Sequence, residues 1–347
     1  MTFASDNWAG VAPEIMEAIA RENRGAAPAY GGDDATRRAR EKFCEVFERD
    51  VAVYFVSTGG AANGLALSVL TPPYGMVFCH EESHIQMDEC AGAEFLTGGA
   101  KLIPLPGDAA RLDVETVARA LAGYPERPPH GAPPRVLSLT QASERGAGYG
   151  LDDVTALCGF AHENGLKVHM DGARFANAVA ALDVAPADLT WRAGVDVLCL
   201  GGTKNGCLVA EAVVFFDPDA AGDFEFRRKR AGHLWSKQRF VAAQFEAYFD
   251  DGLWLRLAAR ANAAAARLAS ALGDIDGVRV WGPTDANEAF ASFPPGVADR
   301  LRADGARFYP WITPGDPSGG AMQRLICSFE TTDAEVDAFV AAARAAV

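Results

Sequence analysis

Between residues 51 and 216, short apolar segments alternate with stretches of helical length, and that alternation leaves few architectures open. Strands are predicted at 51–57, 76–79, 101–105, 135–139, 166–170, 195–200 and 212–216. The segments between them include helical patterns at 35–48, 61–70, 114–121, 154–163 and 175–181. Strands separated by helices need crossover connections, which give a mostly parallel sheet covered on both faces. Beyond residue 224 an Ala- and Leu-rich helical region runs to about 272, broken near 250–252. Short strands at 278–281, 289–293 and 325–329 follow, with helices at 298–303 and 333–345. The expected fold class is α/β, a large domain over 1–240 and a smaller C-terminal α/β domain over 241–347 joined through the long helix.

Composition narrows the function. Lys and Arg number 32 against 46 Asp and Glu, a net charge of −14, so a nucleic-acid backbone is a poor default partner. A small anionic ligand stays open, because a pocket can carry a local sign of its own. The seven cysteines form no CxxC pair and read as reduced thiols of a cytoplasmic protein. The start, MTFASDNWAG, lacks the basic and apolar regions of a signal peptide. No uninterrupted apolar stretch approaches the ~20 residues that cross a bilayer.

Three segments carry the chemistry, each at the carboxyl end of a predicted strand, where open α/β sheets bind ligands. Ser57-Thr58-Gly59-Gly60 joins a strand to a helix, where bare glycine backbone and a helix start can receive an anion. Tight strand-to-helix turns also use glycine for geometry alone. His169-Met170-Asp171-Gly172-Ala173-Arg174 puts a carboxylate at a strand end, where it could hold a protonated pyridine nitrogen. The plainer reading of Asp171-Gly172 is a turn, which leaves Arg174 unexplained. Gly201-Gly202-Thr203-Lys204-Asn205-Gly206 gives a lysine, flanked by small residues, room to form an imine with an aldehyde. The alternative is a solvated lysine in a glycine-rich turn.

His80-Glu81-Glu82-Ser83-His84 matches the HExxH pattern of zinc proteases, whose histidines must share one face of a helix. Here the pattern begins at a strand end, so no metal is expected, and His80 reads as structural. The basic run Phe226-Arg227-Arg228-Lys229-Arg230 reads either as a solvated helix face or as an intersubunit or cofactor-facing segment.

With Ser5-Asp6-Asn7, Tyr30-Gly31-Gly32-Asp33, Thr58-Gly59-Gly60-Ala61-Ala62-Asn63, His84-Ile85, the HMDGAR segment, Thr203-Lys204 and Arg324, the chain resembles the threonine aldolase family. That family belongs to the aspartate-aminotransferase-like, fold type I group of pyridoxal 5'-phosphate (PLP) enzymes, and the likeness covers nearly the whole chain. The resemblance implies that Lys204 carries PLP as a Schiff base, that Asp171 holds its pyridine nitrogen, and that Thr58, Gly59 and Gly60 cradle its phosphate. It further implies that His84 stacks on the ring, and that Ser5, Arg174 and Arg324 grip the substrate carboxylate. His130 would lie near the substrate side chain, and either His84 or His130 would be the base. Lys237, in Arg230-Ala231-Gly232-His233-Leu234-Trp235-Ser236-Lys237, would replace a phosphate-binding arginine supplied by a neighbouring subunit. Shared sites of that kind imply a homodimer or homotetramer.

The implied reaction cleaves a β-hydroxy-α-amino acid to glycine and an aldehyde. Elimination, transamination and racemisation on the same frame are its rivals, and a non-catalytic scaffold is the remaining alternative. Departures from the family pattern are Thr58-Gly59-Gly60 for Ser-Gly-Thr, Thr203-Lys204-Asn205 for Ser-Lys-Gly, and Thr140-Gln141-Ala142-Ser143 for Glu-Asn-Thr-His.

Overall fold

The computed structural model describes residues 1–313 and 317–347. Seven strands form the main sheet: β1 (Ala52–Val56), β2 (Met76–His80), β3 (Lys101–Leu105), β4 (Pro134–Thr140), β5 (Lys167–Gly172), β6 (Val197–Gly201) and β7 (Glu211–Phe215). Their spatial order is β1-β7-β6-β5-β4-β2-β3. β2 to β6 pair in parallel, whereas β7 runs antiparallel to both β6 and β1. β2, β6 and β7 are buried along their whole length, which is why they read as continuous apolar runs.

Four more strands, β8 (Arg279–Trp281), β9 (Glu288–Ser292), β10 (Tyr309–Pro310) and β11 (Met322–Ile326), form an antiparallel sheet in the order β10-β11-β9-β8. The helix Leu253–Gly273 joins the two sheets energetically. Its Leu253, Trp254, Leu257 and Ala258 lie in the core under the main sheet, and its Ala264, Ala265, Leu268 and Leu272 lie in the core of the smaller one. The first residues also bridge outward: Phe3 N–H donates to Arg307, and Ile326 N–H donates to Phe3.

Several expectations need correction. The helix predicted from 61 begins at Gly59, so the glycine turn is itself the first helical turn, capped by Thr58 Oγ1 accepting from Ala61 N–H at 3.2 Å. The region 224–272 holds three helices, Phe224–Arg230, Arg239–Phe249 and Leu253–Gly273, because the glycine-bearing stretch 231–238 breaks the first gap. The last strand lies at Met322–Ile326, three residues earlier than predicted. Arg324, whose charge suggests a strand boundary, sits inside that strand because its guanidinium stacks 4.6 Å from the Trp311 ring centroid. The helix Pro13–Glu22 has no counterpart in the sequence reading; it buries only Ile15 and Ala18.

Candidate active site

The carboxyl ends of β1, β5 and β6 open into one cavity of 350 Å³. It is lined by Ser57, Thr58, Gly59 and Gly60 after β1, Asp171 and Ala173 at the end of β5, and Thr203 and Lys204 after β6, with Asn63, His84, Glu211 and Asn7. Among the proposed site residues, the fold therefore brings together Thr58, Gly59, Gly60, His84, Asp171 and Lys204.

The lysine turn is pinned from behind. Asn205 donates to Tyr248 Oη at 2.7 Å and to the Trp254 carbonyl at 2.8 Å, both buried, which leaves Lys204 directed to the cavity side. Gly206 adopts φ +99°, and a Cβ there would come within 2.8 Å of Leu257, so only glycine closes this turn without strain. Lys204 forms no hydrogen bond or salt bridge among the described residues and is half-buried. Such an amine is available for covalent chemistry.

Asp171 is held at both oxygens. Oδ2 accepts from Asn63 Nδ2 at 2.8 Å and Oδ1 from Ala173 N–H at 3.0 Å. Those bonds fix the orientation of the carboxylate at the end of β5. Two residues back on β5, His169 is fully enclosed between Ser138 Oγ at 2.9 Å and Cys199 Sγ at 3.3 Å. Burial depresses it to about 4, so it stays neutral and structural.

His84 begins the short helix His84–Met87 and is 34% exposed. Its Nδ1 lies 2.9 Å from Glu89 Oε1, and that hydrogen bond raises its pKa against the opposing effect of burial. Asn63 also donates to Glu89 at 2.8 Å, so one side chain joins the carboxylates behind both His84 and Asp171. His80 is separate: its Nδ1 accepts from Glu82 N–H at 3.0 Å and its Nε2 lies 3.2 Å from the Gly107 carbonyl. The two histidines thus occupy a strand end and a helix start, not one helical face.

The two arginines stand differently. Arg174 is buried and its Nε and one terminal nitrogen donate to Asp6 at 2.8 and 3.2 Å, while the other lies 3.3 Å from Glu288. Burial raises the Asp6 carboxyl, but Arg174 and Lys204 outweigh that and leave it below the usual carboxylate range. Burial raises Glu288, with Arg174 and Arg324 pulling the other way. Arg324, by contrast, is half-buried and its Nε has no partner among the described residues. Trp311, on which Arg324 stacks, donates to Glu82 at 3.2 Å, two residues from His84.

Neither arginine lines the cavity, and three further proposed residues lie outside it as well. Ser5 lines a separate polar hollow with Thr2, Trp8 and Glu330, its Oγ accepting from Asn7 N–H at 3.1 Å. It is Asn7, two residues on, that reaches the cofactor-sized cavity. His130 is an exposed turn residue ahead of the amino end of β4, at the opposite edge of the sheet. Lys237 is exposed too, but His233 in the same loop comes within 2.6 Å of Ser57 Oγ. The basic run is split: Arg228 turns inward to the Phe55 carbonyl at 3.3 Å, while Phe226 is exposed.

Glu89 and Glu211 have no place in the sequence reading, and Asn63 and His233 stand there inside motifs without a role of their own. The one local signal was Glu211, a charge opening an otherwise apolar strand.

The geometry suits a planar, anionic cofactor. The first N–H groups of the helix Gly59–Leu70 have no intrahelical partner, and the glycines leave their approach clear of side chains. The carboxylate and the lysine face the same space. Among the described residues no group of three or more His, Cys, Asp or Glu is placed to hold a metal ion. No helix among them is long and apolar enough to cross a membrane.

Residues 2–293 match the beta-eliminating lyase family. The chain is 43% identical over 343 residues to a low specificity L-threonine aldolase of a Pseudomonas species, covering 99% of this chain and 97% of that protein. It is 44% identical over 329 residues to the low specificity L-threonine aldolase of Pseudomonas aeruginosa, covering 95% and 93%. The structure of Leishmania major threonine aldolase superposes with a TM-score of 0.91 at 28% identity, covering 100% of this chain and 99% of that one. With the lysine, the carboxylate and the glycine turn converging on one sheet edge, the chain belongs to the threonine aldolase family of the PLP-dependent fold type I enzymes.

Proposed function

We propose that this lyase binds PLP through Lys204 and splits β-hydroxy-α-amino acids such as threonine, allo-threonine or phenylserine into glycine and an aldehyde. The observation that carries the reading is the meeting of Lys204, Asp171 and the Gly59-Gly60 helix start in a single cavity. The printed activity of the two Pseudomonas relatives supports the same substrate class.

Bound PLP supplies an electron sink for the pair left as the Cα–Cβ bond breaks. The chain does the rest. Gly59 and Gly60 N–H groups and Thr58 receive the phosphate, and Asp171 keeps a proton on the pyridine nitrogen. Arg324, with a nitrogen to spare, holds the substrate carboxylate; Arg174 holds the N-terminal segment against the site through Asp6. His84 takes the β-hydroxyl proton at Nε2, since Nδ1 is engaged by Glu89.

Membership of the family makes a homodimer or homotetramer with shared sites the expected assembly, in which Lys237, outside its own chain's cavity, would serve a neighbouring subunit; His130 has no place in the cavity of its own chain. Ser5 would need to turn from Asn7 to reach a substrate. The seven free cysteines fit a cytoplasmic protein.

The deciding assay is a panel of β-hydroxy amino acids of both configurations, read by aldehyde and glycine release. Pyruvate or another keto acid in place of glycine would reassign the enzyme to elimination or transamination. Lys204→Ala should lose the covalently held, coloured cofactor and the activity with it, and a fully active variant would overturn the mechanism.

A further inference from the structure

One buried acid in the cavity has no part in the reaction above. Glu211 opens β7 and is the one charged residue of that buried strand. Because β7 runs against its neighbours, its first residue lies level with their last: Glu211 pairs with Val56 on one side and with Gly201 on the other. Those two positions lead directly into the glycine turn and the lysine turn. The carboxyl group is thereby inserted between the phosphate cradle and Lys204.

The fit is close. Glu211 Oε2 lies 3.1 Å from where a Cβ on Gly201 would stand and 3.9 Å from the same point on Gly59, so the two bare backbones make the space it fills. Thr203 Oγ1 accepts from Ala210 N–H at 3.1 Å, which directs its own proton to Glu211. The other ionisable groups facing it are Lys204, Asp171, Cys199, Cys207 and Tyr248. Lys204 is the single cation of that set. Burial pushes the Glu211 carboxyl up to about 7, with Thr203 and Lys204 acting against it. A carboxyl in that position changes charge in the range where the enzyme would work.

We propose that Glu211 is the acid–base partner that governs the charge on the Lys204 nitrogen. When the lysine is released as an ammonium, one proton passes from Nζ to a Glu211 oxygen, leaving a neutral amine with its electron pair free to attack. The reverse transfer restores the charge, and no carbon bond is made or broken in that step. The proposal rests on Lys204 being the cofactor lysine.

The test is a pH titration of the visible colour of the holoenzyme, for the wild type, Glu211→Gln and Glu211→Asp. A carboxylate beside the protonated, cofactor-linked nitrogen stabilises it, so Glu211→Gln should lower the midpoint by about one pH unit or more, and Glu211→Asp should restore part of the shift. An unmoved midpoint in Glu211→Gln overturns the proposal. If that variant does not fold, Glu211→Asp decides: its midpoint should lie below that of the wild type, and an unmoved midpoint overturns the proposal. A wild type that develops no colour with excess PLP removes the Lys204 assignment and this proposal together, a result distinct from an unmoved midpoint.

Discussion

Asn63 donates a 2.8 Å hydrogen bond to Asp171 Oδ2, tying the helix that starts at the glycine turn to the end of β5. The same amide reaches Glu89, so the glycine turn, Asp171 and His84 are tied together by one side chain. Asn63→Ala should leave Asp171 and Glu89 short of a buried donor, at a cost of about 1–3 kcal/mol. The expected outcome is weaker PLP retention and a turnover lowered at least tenfold, read by cofactor titration and steady-state kinetics. Unchanged values in both would mean that the tie has no functional part.

The pair His84 and Glu89 makes a prediction about pH. The Glu89 hydrogen bond raises His84 above its ordinary value, and a base must be deprotonated to act. Activity should therefore rise with pH through the raised His84 midpoint. Glu89→Gln withdraws the negative partner and should move that acid limb down by about one unit. A limb that stays in place would transfer the base role away from His84.

Arg174 and Arg324 should fail in different ways. Removing Arg174 strands Asp6 and Glu288 as buried carboxyls, and breaking such a cluster costs on the order of 3–5 kcal/mol. Arg174→Ala should thus lower the denaturation midpoint markedly. Arg324→Ala removes no ion pair found among the described residues and should leave stability within about 1 kcal/mol while raising KM for amino-acid substrates. Equal stability losses in the two variants would contradict this division.

His169 links stability to acid. Its folded pKa, near 4, lies below the ordinary value of 6.5, so between those values the unfolded chain binds more protons than the native one. Stability contributed by the neutral ring is present above pH 6.5 and is lost as pH falls toward 4. Denaturation at pH 7 and pH 5 should differ by roughly 1–3 kcal/mol, and the difference should shrink in His169→Gln.

Much of this was legible in the residues. The main strands declare themselves because both faces are covered and apolar runs follow, and the glycine turn, Asp171 and Lys204 each sit at a strand end. Local pattern could not show what distant residues do to one another. Arg174 looks like a free guanidinium until Asp6 and Glu288 are brought to it across the fold. Ser5 and Asn7 differ by two positions, yet only the second faces the cavity. Asn63 and Glu89 are unremarkable until the fold places them behind Asp171 and His84.

The reversed direction of β7 has a consequence for how far the family can vary. Side chains of a strand alternate between faces, so inserting or deleting one residue between Gly206 and Ala210 would either slide the ladder or point position 211 away from the cavity. Length changes that most surface connections absorb should be forbidden in that short link, whatever its amino-acid content.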